Sequence, residues 1–261
     1  MPKREYRLKK SLGQHFLHNE QICQKIIAEV DRKPNLNLLE IGPGGGALTK
    51  YLLEWENVNY KAIEVDEEKV AYLLQKYPAI QDKIFLTDFL KAEIPFEGDF
   101  TIIGNFPYNI SSSILFKILD WESQVTEMVG MFQKEVAMRV ASKEGNKVYG
   151  ILSVLMQAFY EVEYLFDVAP GNFTPPPNVM SGILRLKHSG NPYNIQDKKA
   201  FIKFVKAAFS QRRKTLRNAL KSNFPPDRLV DDIFNKRAEQ LSVWAFTDLF
   251  KKLQSKIETN E

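Results

Sequence analysis

The chain has 261 residues, 44% of them hydrophobic and 26% charged, enough for one large domain with a buried core and a smaller companion. No run approaches the roughly 18 consecutive apolar residues of a membrane span, and the single cysteine, Cys23, excludes an internal disulfide and fits a reducing compartment. The net charge of +4 is uneven: residues 1–10 carry 5 Lys/Arg against 1 acid, residues 191–261 carry 15 against 8, and the middle carries 16 against 23. Two basic ends on an acidic body suit a polyanionic partner, although two solvated lysine-rich faces would give the same count.

Behind Met1-Pro2-Lys3-Arg4 there is no apolar run, so neither a signal peptide nor an anchor is expected, and the cytoplasm is the expected location. Further along, apolar periodicity predicts a helix over 18–30, a strand over 36–41, a helix over 46–54, a strand over 59–65 and a helix over 67–76. Strands at 83–87 and 99–104, a helix at 111–120, a strand at 125–132 and helices at 134–142 and 149–157 follow. The last two strands, 158–168 and 179–187, are joined by Gly171-Asn172-Phe173-Thr174-Pro175-Pro176-Pro177 with no helix between them, so they are expected to pair as a hairpin. The alternation predicts an α/β, Rossmann-like sheet, mostly parallel with one antiparallel strand. Ser189-Gly190-Asn191-Pro192 reads as a linker, which gives a domain over 1–190 and a small all-helical domain over 191–261.

Leu38-Leu39-Glu40-Ile41-Gly42-Pro43-Gly44-Gly45-Gly46-Ala47 is a strand running into a glycine-rich turn and a helix. Such a turn lets the backbone approach a ligand closely and presents free N–H groups. By itself it fits NAD, FAD or S-adenosylmethionine. Glu64 ends the next strand, where a carboxylate can accept both ribose hydroxyls, and Asp88 ends the one after, where it can read an adenine amino group. Gly42, Glu64, Asp88 and Asn105 thus fall at the carboxyl edge of four successive strands.

Asn105-Phe106-Pro107-Tyr108 follows the fourth strand and precedes Ser111-Ser112-Ser113 and a helix. It offers an amide, a main-chain carbonyl and an aromatic face, the groups that hold a planar exocyclic amine such as adenine N6. Asn105 Oδ1 and the Pro107 carbonyl can accept the two amine hydrogens and aim the nitrogen lone pair, while Tyr108 stacks on the base. Reaching N6 requires an unstacked base. His15 and His18 have no further Cys or His cluster nearby, so metal binding is not expected. Lys198 through Lys221 hold nine Lys/Arg and no acid, among them Arg212, Arg213, Lys214 and Arg217, which are candidates for phosphate contacts together with Lys3, Arg4, Arg7, Lys9 and Lys10. Phe201, Phe204 and Phe209, interleaved with them, are read as helix core.

Taken together, Glu40–Gly44, Glu64, Asp88 and Asn105–Tyr108 resemble the rRNA adenine N6-dimethyltransferases. Ser11-Leu12-Gly13-Gln14-His15-Phe16-Leu17 is similar to that family's N-terminal signature, and Phe173-Thr174-Pro175-Pro176-Pro177-Asn178-Val179 to its Phe-x-Pro-x-Pro-x-Val motif. Gln211–Asn218 extends the likeness and resembles the KsgA branch, which acts on small-subunit rRNA, over the Erm branch, which acts on large-subunit rRNA. His15 stands where Asn is common, and Phe106 where Leu or Ile is common. The resemblance implies a class I methyltransferase fold with S-adenosylmethionine as cofactor. His15 and Leu17 would close over it, Gly42 would line its amino-acid end, Glu64 would bind its ribose and Asp88 its adenine. Phe173 would cover the second face of the target base.

The implied function is dimethylation of N6 on two adjacent adenosines in a hairpin near the 3′ end of small-subunit (16S) rRNA. The partner would be an assembling 30S particle, with the chain acting as a monomer and no membrane involved. Three alternatives remain at this point: an Erm-like large-subunit enzyme, an assembly factor that acts by binding RNA, and a nicotinamide dehydrogenase. The last would leave the tetrad and the basic ends without a role.

Overall fold

The structure, a computed structural model, describes residues 15–258, with side chains described up to residue 254. Lys3, Arg4, Arg7, Lys9, Lys10 and the Ser11–Gln14 part of the first motif lie outside the described residues. The chain forms two compact units, one of residues up to 137 together with 163–188, the other of 138–162 and 189 onward. The second boundary falls beside the linker read from the sequence. Grouping of 138–162 with the helical unit departs from the expected division at 190.

In chain order the elements are β1 (Phe16–Leu17), α1 (Glu20–Ala28), β2 (Leu36–Ile41), α2 (Thr49–Leu52), β3 (Val58–Glu64) and α3 (Glu67–Lys76). Next come β4 (Ile84–Leu86), β5 (Phe100–Asn105), α4 (Ser111–Asp120), β6 (Val125–Gln133), α5 (Lys134–Ala141) and α6 (Ile151–Phe159). After β7 (Tyr160–Val168), β8 (Phe173–Thr174) and β9 (Ser181–His188), the chain is helical: α7 (Lys198–Phe209), α8 (Leu216–Leu220) and α9 (Val243–Glu258). The main sheet has the order β4-β3-β2-β5-β6-β9-β7. Its β4, β3, β2, β5 and β6 pair in parallel, and β9 runs antiparallel to β6. Leu38, Leu39, Ile102, Ile103 and Val129 are fully buried. That is why these strands read as continuous apolar runs and not as alternations.

Two local features depart from the sequence expectation. The helix predicted over 46–54 is confined to Thr49–Leu52, because the preceding residues form the glycine turn. There Gly46 has φ +80°, and a Cβ on it would stand 2.8 Å from Tyr77 Cε2. The second feature is a separate two-stranded sheet, β1 with β8, in the register Phe16↔Thr174 and Leu17↔Phe173. It joins the N-terminal motif to the Phe-Thr-Pro motif across more than 150 residues.

In the helical unit, Phe201 and Phe204 are buried, and Phe209 stacks on Phe246 with centroids 5.6 Å apart. The phenylalanines are core, as their spacing predicts. No helix among the described residues is long and apolar enough to cross a membrane.

The carboxyl edge of the sheet depends on a slot. Gly104 on β5 and Gly130 on β6 are register partners, and the buried Phe106 ring lies against both. A Cβ on Gly104 would stand 2.6 Å from Phe106 Cε1, and one on Gly130 would stand 2.1 Å from Cε2. Gly130→Ala is therefore expected to destabilise the protein by about 1–3 kcal/mol, the usual cost of overpacking, by displacing the ring between Asn105 and Pro107. Gly98→Ala, whose added Cβ would meet nothing within 4 Å, is the control in thermal melting.

Candidate active site

At the carboxyl ends of β2, β3 and β5 lies one cavity lined by His15, Phe16, Gly42, Gly44, Glu64, Val65, Asp88 and the Asn105–Ile110 segment. It gathers His15, Gly42, Glu64, Asp88, Asn105, Pro107 and Tyr108, all expected from the sequence, into a single site. Strand ends place them: each β-strand of a parallel sheet delivers its last residue to the same edge.

Gly42 and Gly44 have φ of +66° and +55°, a left-handed backbone natural to glycine. A Cβ on Gly42 would meet nothing within 4 Å, so the chain leaves open space over this turn. Glu64 is buried, and its Oε2 accepts the Gly44 N–H at 3.0 Å while Oε1 accepts those of Val65 (2.9 Å) and Asp66 (3.0 Å). Burial pushes the Glu64 pKa up, opposed by those three N–H groups. The carboxylate thus fixes the glycine turn from below and keeps acceptor capacity for hydroxyls. Asp88 accepts the Leu90 N–H at 3.0 Å and so also caps a short 3-10 turn.

Under the same turn, Glu40 is buried and its Oε2 accepts from Tyr60 Oη at 2.6 Å and Thr49 Oγ1 at 2.8 Å. Burial pushes its pKa up to about 7, against the two hydroxyl bonds.

The tetrad is held from three directions. Asn105 Nδ2 donates to the main-chain oxygen of His15 at 3.0 Å, which leaves Oδ1 as the amide's free acceptor. The His15 ring lies 5.4 Å from that of Tyr108 and donates from Nδ1 to the Pro175 carbonyl at 2.9 Å. Tyr108 Oη meets the buried Ser181 Oγ at 2.5 Å. Burial pushes the Tyr108 phenol up, with the Ser181 bond opposing. Ser181 was not anticipated: it heads β9, and only its register opposite Gln133 brings it to the tetrad.

Two expected site residues do not line the cavity. Leu17 is buried in the hydrophobic core, and its neighbour Phe16 takes the wall position. Successive strand residues face opposite sides, so only one of the two can point at the cavity. Phe173 pairs directly with Leu17 and shares its core-facing side, so its ring is buried and does not line the cavity. The Phe16 ring, 5.0 Å from Lys69 Nζ, also packs near Gly44.

In the helical unit, Arg212 donates to the carbonyls of Lys147 and Tyr149, and Arg217 to those of Leu229 and Val230. Both brace their own unit. Arg213 and Lys214 stand exposed in the turn before α8. Among the described residues no three His, Cys, Asp or Glu side chains cluster as a metal site. His18 Nδ1 instead bonds Thr174 Oγ1 at 3.1 Å.

A parallel sheet with one antiparallel strand, a glycine turn, an acid on each of the next two strands and an Asn-x-Pro-Tyr edge define a class I methyltransferase. The ribosomal RNA adenine dimethylase family model matches residues 5–255. Ribosomal RNA small subunit methyltransferase A of Cytophaga hutchinsonii is 52% identical over 252 residues, 95% of this chain and 98% of that one. A dimethyladenosine transferase from Plasmodium falciparum superposes with a TM-score of 0.78 at 26% identity, covering 94% of this chain and 98% of that one. The 23S rRNA methyltransferase ErmE gives a TM-score of 0.68 at 24% identity over 92% and 99% of the two chains, a likeness of fold. The chain belongs to the ribosomal RNA adenine dimethylase family. It is an S-adenosylmethionine-dependent enzyme that methylates adenine in rRNA.

Two outcomes follow for the supports of this site. Tyr108→Phe and Ser181→Ala each remove the same bond, so each should lower kcat/KM for RNA by about tenfold, leave S-adenosylmethionine affinity unchanged by calorimetry, and show no further loss when combined. For Glu40, the folded pKa of about 7 lies above the ordinary 4.5, so the fold binds its proton more tightly than the unfolded chain. The cost of ionising it in the fold is absent below pH 4.5, grows to pH 7 and is complete above. Glu40→Gln should raise stability at pH 8 by up to about 3 kcal/mol and lose that advantage towards pH 4.5, as read by denaturant titration at both pH values.

Proposed function

We propose that this chain dimethylates N6 of two adjacent adenosines in the 3′-terminal hairpin of small-subunit rRNA, acting as a monomer in the cytoplasm on an assembling 30S particle. The observation that carries the small-subunit assignment is the 52% identity, end to end, with a relative named for that subunit. The ErmE likeness extends to fold alone, so nothing favours the large subunit.

The site residues fit the cofactor: Gly42 leaves room for close approach, Glu64 would hold the ribose, and Asp88 the adenine. When bound, S-adenosylmethionine supplies an electrophilic methyl on a sulfonium. The chain's task is to present the amine. Adenine N6 is a poor nucleophile because its lone pair is delocalised into the ring. Asn105 Oδ1 and the Pro107 carbonyl accept its two hydrogens, draw the nitrogen towards a pyramidal geometry and stabilise the positive charge that develops. Tyr108, its hydroxyl held by Ser181, stacks on the extruded base and fixes its plane. The nitrogen loses its proton to water after transfer, so no side-chain base is required.

The helical unit is the proposed RNA-holding part. Exposed Arg213 and Lys214 serve as phosphate contacts, and Arg212 and Arg217 shape the turn that presents them. Incubation with labelled S-adenosylmethionine and unmethylated small or large subunits tests the proposal. Label is expected on small-subunit RNA, at two adjacent adenosines; label confined to large-subunit RNA would refute it. Asn105→Ala should lower transfer by at least about 100-fold while subunit binding persists, which also separates catalysis from mere occupancy.

A further inference from the structure

Dimethylation confronts the site with two different amines in turn. The first has two N–H groups for two acceptors; the second has one N–H and one methyl. One acceptor must then face an apolar group.

The two acceptors are not equivalent. Asn105 commits its Nδ2 to His15, and Oδ1 has no protein donor among the described residues. The Pro107 carbonyl already has two donors at long range, the Ile110 N–H at 3.3 Å and the Ser111 hydroxyl at 3.4 Å. Ser111 is buried at the head of α4, and its hydroxyl also stands 3.1 Å from the Tyr108 carbonyl. A hydroxyl has a single proton to donate, and it rotates to suit. Between two carbonyls it can serve either one.

We infer that Ser111 is a positioning residue that sets the degree of methylation. In the first transfer it turns to the Tyr108 carbonyl and yields the Pro107 carbonyl to the second N–H of the amine. In the second it turns back to Pro107, so that the carbonyl facing the new methyl keeps a second donor beside the Ile110 N–H. The methyl lies on the Pro107 side because the opposite arrangement would strip Asn105 Oδ1 of its donor, and an unsatisfied buried acceptor is costly. In each transfer the N6 lone pair forms the new N–C bond as the S–C bond of the donor breaks, its electron pair staying on sulfur and an N6 proton leaving to water. The inference rests on the proposed amine-holding role of Asn105 and Pro107.

Ser111→Ala removes the returning donor. With the full chain, S-adenosylmethionine and unmethylated small subunits, counting N6-monomethyl- and N6,N6-dimethyladenosine over time yields both rate constants. The ratio of second to first should fall about tenfold, with monomethyl product accumulating, and Ser111→Thr, which keeps a hydroxyl, should restore the parental ratio. An unchanged ratio in Ser111→Ala, or two constants falling in parallel, overturns the inference. Should the alanine variant not fold, Ser111→Cys, a weak donor of similar size, is read by the same ratio and must lower it. Asn105→Ala tests the underlying reading separately: parental transfer in that variant would sink the amine-holding role whatever Ser111→Ala does.

Discussion

The bond from Asn105 Nδ2 to the His15 main-chain oxygen fixes which way the amide faces, and with it which atom is left as acceptor at the cavity. An amide free to flip would present its NH₂ group half the time, a donor where the proposed amine-holding role needs an acceptor. That bond can form only if β1 is in place. β1 is held by β8, and the same crossing lets the His15 ring reach Pro175 and the Tyr108 ring. Ser181, a few residues beyond, closes the loop at the Tyr108 hydroxyl. The direction of the Asn105 amide and the position of the Tyr108 ring are therefore set by segments distant in sequence and joined through two residues of strand.

The glycine turn is held in a comparable way. Glu64 grips its Gly44 N–H from β3, while Glu40 on β2 grips Thr49 at the head of α2. Two buried carboxylates on adjacent strands repel one another, and the Glu64 charge is among the causes of the raised Glu40 pKa. Their hydrogen bonds offset part of that cost and leave the turn with little freedom. A preorganised turn spends less of its binding energy on ordering when a ligand arrives.

Much of this was legible in the sequence because the sheet is parallel and buried on both faces. Apolar runs mark β2, β3 and β5, and the cavity is reached at or just beyond their ends, by Gly42, Glu64 and Asn105. Gly42, Glu64, Asp88 and Asn105 could thus be placed at one edge before any contact was known. What could not be read was pairing between short, distant segments. A two-residue strand has no periodicity, so nothing in Phe16-Leu17 or Phe173-Thr174 announced that they pair. Without the register, Leu17 and Phe173 looked like site residues, whereas the alternation of side chains sends both to the core. Ser181 was missed for the same reason, since a lone serine gains a role only from the tyrosine that the fold places against it.

Phe106 shows how the tetrad separates its tasks. Asn105, Pro107 and Tyr108 present groups to the cavity, while the ring of the residue among them is buried against Gly104 and Gly130. A position where Leu or Ile is common can carry a larger ring here because neither facing residue has a Cβ. The ring also touches Phe132, with centroids 4.9 Å apart, on the strand whose next residue, Gln133, pairs with Ser181. One side chain thus keys the peptide that carries Asn105 and Pro107 to the strand pair that holds Tyr108. The spacing between the Asn105 and Pro107 oxygens and the Tyr108 ring is consequently a property of packing in the sheet, with the loop that displays them having little freedom to change it.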